Sequence, residues 1–138
     1  MHDSHKLMKV FEPVAPEIEA LAKAVVDCAY RVHVNLGPGL LESVYETCLS
    51  YELKKQGIAI RNQVSIPIVY DNVRLDADLR IDLLVGEQLI VEIKAVAQMN
   101  DVFKSQLITY LKLTGLRLGL LINFNVPLIK NGIQRIIL

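Results

Sequence analysis

Between Ala15 and Asn35, apolar residues recur at steps of three and four: Ile18, Leu21, Ala22, Val25, Ala29 and Val32. That spacing lays a single apolar stripe along a helix. Pro16 suits the first turn of such a helix, and Glu17 and Glu19 suit the positive end of its dipole. Gly37-Pro38-Gly39 breaks the pattern. A second helix is expected from about Leu41 to Gln56, with Lys54 and Lys55 in its last turn and Gly57 as its stop. Beyond Gly57 the period falls to two. Ala59 to Tyr70 reads as a strand with Val64, Ile66 and Ile68 on one face, Asp71-Asn72 as a turn, and Val73 to Val85 as the returning strand. After a second turn at Gly86-Glu87, Gln88 to Val96 is short and strongly apolar, as in a sheet covered on both sides. Asn100 or Asp101 can cap a helix from about Val102 to Thr114, which Gly115 ends. Arg117 to Phe124 reads as another buried strand and Ile133 to Leu138 as an edge strand.

The order α-α-β-β-β-α-β-β predicts an α/β fold with a mixed central β-sheet and flanking helices. Residues 1–14 read as a polar arm ahead of a single domain over 15–138, a length that suits one compact unit. Hydrophobic residues make up 52% of the chain and the mean hydropathy is +0.35. A buried sheet or a partner surface, such as that of a homodimer, accounts for such a bias. The formal net charge is zero, so contact with nucleic acid has to come from local patches, with Lys54, Lys55, Arg61, Lys104, Lys112 and Arg117 as candidates. Cys28 and Cys48 fall in apolar helical stretches and read as free thiols. No stretch is long and apolar enough to span a bilayer, and the N-terminal residues lack the apolar core of a signal peptide. A cytoplasmic protein without a membrane partner is expected.

The stretch from Asp82 to Lys94 carries the most chemistry. Side chains alternate along a strand, so Glu92 and Lys94 share one face and Val91 and Ile93 the other. Asp82 lies across a tight turn, where hairpin pairing can bring its carboxylate close to Glu92. Two converging carboxylates either hold a proton or bind a cation, and hard oxygen ligands suit Mg²⁺ or Mn²⁺. A lysine two residues along can then stabilise developing negative charge, as metal-assisted phosphodiester hydrolysis requires. A wet edge strand bearing Glu and Lys would show the same spacing. Glu42 and Glu46 share a helical face, as do Gln106 and Tyr110. Read alone, each pair also fits a solvated face or a polar rim beside the core. His33 is either a metal ligand or a hydrogen-bonded structural residue. Arg80, two residues before Asp82 and expected on the same strand face, can pair with a carboxylate or reach a phosphate.

Taken together, Val32-His33, Leu36 to Glu46, Arg80 to Val85, Glu92 to Val96, Gln106 to Leu116 and Gly119 to Phe124 resemble the GxxExxY family. That family is a branch of the PD-(D/E)XK nuclease-like superfamily. Its naming motif stands here as Gly39, Glu42 and Tyr45. The resemblance implies a restriction-endonuclease-like core in which Asp82 and Glu92 bind the divalent metal and Lys94 is the catalytic lysine. It further implies that Glu42 is the acidic residue of the first core helix. Gln106 and Tyr110 look like the QxxxY motif of RecB-type nucleases, which also place a helical histidine, here His33, at the metal. Arg80, Glu46 and Tyr45 are expected at the substrate. Phe103 stands where family members commonly carry a histidine, and Ile81 stands where the superfamily name places a proline. Two functions follow as expectations. One is a Mg²⁺-dependent nuclease acting on DNA before RNA. The other is a non-catalytic module of the same fold that works through self-association or a partner protein.

Overall fold

In the computed structural model, which describes residues 12–138, the first apolar stripe is wound into helix α1, Pro16–Leu36. Pro16 sits in its first turn, and Gly37 ends it at φ 68. Of the arm expected over residues 1–14, residues 1–11, with His2 and His5, lie outside the described part, whereas Val14 is already packed in the core. Helix α2, Glu42–Lys55, buries Tyr45, Leu49 and Leu53, a stripe with a four-residue step. Strands β1 (Ile60–Tyr70) and β2 (Val73–Val85) form a long hairpin. Its tip, Asp71-Asn72, has positive φ at both residues, the geometry that joins antiparallel strands through two residues without splaying them. Strand β3 (Leu89–Lys94), helix α3 (Asp101–Thr114) and strand β4 (Leu118–Asn123) make the crossover, and a short 3-10 turn at Ile129–Gly132 leads into β5 (Ile133–Ile137).

The five strands lie in the order β1-β2-β3-β4-β5. Only β3 and β4 run parallel; the other neighbours are antiparallel. The result is the expected mixed sheet with helices on both faces. Helices α1 and α2 cover one face over Leu83, Val85, Leu89, Val91, Ile93, Leu118, Leu120 and Ile122. Helix α3 covers the other through Leu107, Tyr110 and Leu111 against Ile81, Leu84, Ile90 and Leu121. Burial on both faces explains why β3 and β4 read as unbroken apolar runs. Helix α3 can sit close because Gly119 has no side chain; a Cβ there would lie 2.8 Å from a Leu107 methyl. Among the described residues no helix is long and apolar enough to cross a membrane.

The alternation of β2 slips at Asp82, apart from a register shift against Pro67–Val69 nearer the hairpin tip. Leu79 and Ile81 pack on the α3 side, whereas Leu83 and Val85 pack under α1 and α2. Residues two apart should share a face, so the strand changes phase at Asp82. Opposite it, β1 is also irregular: Asn62 pairs with Leu83 and Val64 with Ile81, but Gln63 between them takes φ 51. The ladder between β2 and β3 runs only from Val85↔Leu89 to Leu83↔Val91. Beyond that point the β1–β2 hairpin and the β3–β4 pair part, and the fork opens at Asp82 and Glu92.

Candidate metal and catalytic centre at a strand fork

At the fork, two carboxylates take over the backbone bonds that a continued ladder would have made. The Asp82 backbone N–H donates to Glu92 Oε2 at 2.8 Å, and the Ile93 N–H donates to Asp82 Oδ2 at 2.8 Å. Each acid thereby satisfies the other strand, and the pair is locked face to face. Glu92 is almost fully buried. Burial first, and the Asp82 charge second, push its carboxyl up to about 8. An acid held that far above its usual range gains by keeping a proton or by meeting a cation. One oxygen of each side chain is free of those backbone bonds, so the donor set fits a hard divalent ion. Among the described residues no three His, Cys, Asp or Glu side chains are grouped so as to hold a metal ion. Two carboxylates would leave the remaining positions around a hard divalent ion to water.

Helix α2 presents further acids at this point. Glu42 Oε1 lies 3.4 Å from the Ala95 N–H, next to Lys94. Glu46, one turn on, accepts from Asn62 Nδ2 at 3.0 Å and from Gln63 Nε2 at 2.7 Å. Gln63 Nε2 also lies 3.4 Å from Asp82 Oδ1. The amide therefore bridges the helical acid and the strand acid, and the acid so linked to Asp82 is Glu46 rather than Glu42. On the other side α3 brings Tyr110, whose phenol is pushed up to about 12 by burial and by the charges of Glu92 and Asp82. It therefore stays a proton donor facing the acidic pair. Gln106 sits exposed one turn earlier. Lys94 shares the α3-facing side of β3 with Glu92, and its Nζ stands 4.6 Å from the centre of the Phe103 ring.

Several expected site residues go elsewhere. Tyr45, expected at the substrate, is fully buried and belongs to the core. Its hydroxyl donates to the Gly37 carbonyl at 2.6 Å and accepts from the Leu40 N–H at 3.1 Å, and its ring stacks on Phe124 at 4.6 Å. It braces the Gly-Pro-Gly turn from inside. His33 Nε2 lies 2.7 Å from the Val126 carbonyl. A carbonyl only accepts, so that nitrogen carries its proton and is spent on the chain after β4. Arg80 does not share a face with Asp82, because the phase slip separates them. It is exposed, and among the described residues no hydrogen bond or ion pair joins it to a carboxylate. Of the basic candidates, Arg61 is taken up by Glu87 at 2.7 Å, Lys55 by Glu52 at 3.5 Å, and Arg117 by the Leu138 carbonyl at 2.7 Å.

Three contributors were not picked out in the sequence. Asn62 and Gln63 had one signal, two consecutive amides interrupting an alternating strand. Asn123 had another, a lone amide closing an apolar one. Its Oδ1 accepts from the Val96 N–H at 3.1 Å and its Nδ2 donates to the Val96 carbonyl at 3.0 Å. That clamp fixes the chain as it leaves β3 just after Lys94. The family model described as the PD-(D/E)XK nuclease superfamily matches residues 19–136. No curated protein and no solved structure is significantly similar to the chain.

Proposed function

The chain belongs to the PD-(D/E)XK nuclease superfamily, and from that premise we propose that it is a divalent-metal-dependent nuclease hydrolysing phosphodiester bonds, in DNA before RNA. Within the superfamily we assign it to the GxxExxY group on Gly39, Glu42 and Tyr45. One observation carries the reading: two carboxylates from different strands meet at a buried fork with a lysine alongside. In this reading Asp82 and Glu92 hold Mg²⁺ or Mn²⁺. When bound, that ion supplies Lewis-acid activation at a phosphate and lowers the cost of ionising water. Lys94 presents its ammonium to negative charge as it develops on the phosphate. Glu46 and Gln63 keep Asp82 in place, Glu42 adds negative charge at the mouth of the site, and Tyr110 and Gln106 supply donors from α3. Exclusion of water by the apolar walls around Glu92 strengthens each of these interactions.

The test is a thermal-shift titration with Mn²⁺ together with cleavage of duplex and single-stranded DNA. Native protein should gain stability with Mn²⁺ and cleave. Asp82→Asn retains an acceptor for the Ile93 N–H, and should fold, lose the Mn²⁺ shift and lose cleavage by at least about a hundredfold. Lys94→Ala should keep the Mn²⁺ shift and lose cleavage. Retained cleavage in a pure Lys94→Ala sample would sink the mechanism.

A second reading, a non-catalytic module acting through self-association or a partner, has its own support. Val34, Leu41 and Tyr51 on and between α1 and α2, and Tyr70 and Val73 at the hairpin tip, are large apolar side chains left exposed. It predicts concentration-dependent association and no response to metal.

A further inference from the structure

We infer that Phe103 is a positioning residue for Lys94, holding the ammonium against its ring face beside the acidic pair without neutralising it. The inference rests on the nuclease reading of Lys94. A lysine is a point charge on a flexible stem. Here the stem rises from β3 on the face it shares with Glu92, whose carboxyl feels the lysine charge and could draw it into an ion pair. Yet among the described residues Lys94 makes no salt bridge, and its Nζ lies 4.6 Å from the Phe103 ring centre. The difference matters chemically. An ammonium paired to Glu92 would spend its charge on the acid and crowd the place of a cation. A ring face attracts the same ammonium through its quadrupole but carries no net charge, so the full positive charge stays on offer to a phosphate.

The ring is in turn held by the fold. Asn100 caps α3, its side chain accepting from the Val102 N–H at 2.9 Å and its carbonyl from the Phe103 N–H at 3.0 Å. Phe103 is half-buried against the α3-side core. It lies three residues before Gln106 and seven before Tyr110, so one helical face delivers ring, amide and phenol to the site. The ring thus has little freedom of its own, and the lysine that rests on it inherits that order.

The test uses the full chain with ¹³C-labelled lysine side chains, Lys94 being assigned by Lys94→Arg. The Lys94 ε-methylene protons should resonate upfield of the other lysines in the native protein and in Phe103→Tyr. In Phe103→Leu, which keeps apolar bulk without the ring, they should move back to the common range. In Mn²⁺-supported cleavage of duplex DNA, Phe103→Leu should lower kcat by about tenfold with KM little changed, while Phe103→Tyr stays near native. Thermal unfolding of each variant checks that it is folded. Absence of the upfield shift in the native protein overturns the contact. An upfield shift with equal kcat in the Leu and Tyr variants overturns the positioning role. An upfield shift with no cleavage by the native protein overturns the nuclease reading instead, because the contact would then exist without a reaction to serve.

Discussion

Within one pair of neighbouring strands the protein shows two opposite environments. From Val85↔Leu89 to Leu83↔Val91, β2 and β3 form a regular ladder with every side chain buried and apolar. One step further, at Asp82 and Glu92, the ladder stops and carboxylates accept the backbone N–H groups in its place. The first region contributes burial. The second concentrates like charge where water is scarce, which opposes folding unless a proton or a cation offsets it. The fork is tolerable because the ladder beside it is strong, and the ladder holds the fork's two arms at a fixed separation.

The largest effect expected from breaking this contrast is on the pH dependence of stability. Glu92 has a folded value of about 8 against an ordinary value of 4.5. Between those limits the native state keeps a proton that the unfolded chain has lost, so the unfolded state binds fewer protons and stability falls as pH rises. Below 4.5 both states are protonated and the penalty vanishes; above about 8 it is complete. Without metal, the native protein should lose on the order of 5 kcal/mol between these limits. Glu92→Gln should flatten that slope in urea unfolding at a series of pH values. Parallel curves for the two proteins would remove the buried charge from the account of the fork.

Truncating the ladder instead should act at every pH. Leu83 is fully buried under α1 and α2, and Leu83→Ala should cost about 3 kcal/mol by urea unfolding. The activity per folded molecule should change far less, since no polar contact of the fork is removed. A collapse of activity at conserved fold would mean that the ladder tunes the fork more finely than rigid support requires. The smallest effect is expected at Tyr45. Tyr45→Phe keeps the stack on Phe124 but deletes both hydrogen bonds of the hydroxyl. It should cost about 1 kcal/mol and leave KM unchanged, whereas a raised KM would return Tyr45 to the substrate surface.

Much of this molecule is local in origin. The stripe of α1, the four-residue step of α2, the Asp71-Asn72 hairpin and the apolar runs of β3 and β4 are set by residues within a few positions of each other, and all could be read along the chain. So could the placement of Glu92 and Lys94 on one face of β3, because alternation is a property of a single strand. Pairings between distant segments, and the failure of alternation at Asp82, come instead from the packing of the whole sheet. Asp82 changes phase because β2 leaves β3 there, and no count of two along the sequence anticipates that or the separation of Arg80 from Asp82. The link from Glu46 through Gln63 to Asp82 joins a helix to two strands. His33 finds its partner 93 residues away at the Val126 carbonyl. A helical histidine and a motif tyrosine look the same in sequence whether they face a substrate or a carbonyl. Burial and hydrogen-bond geometry, which depend on the packing of the whole sheet, make the choice.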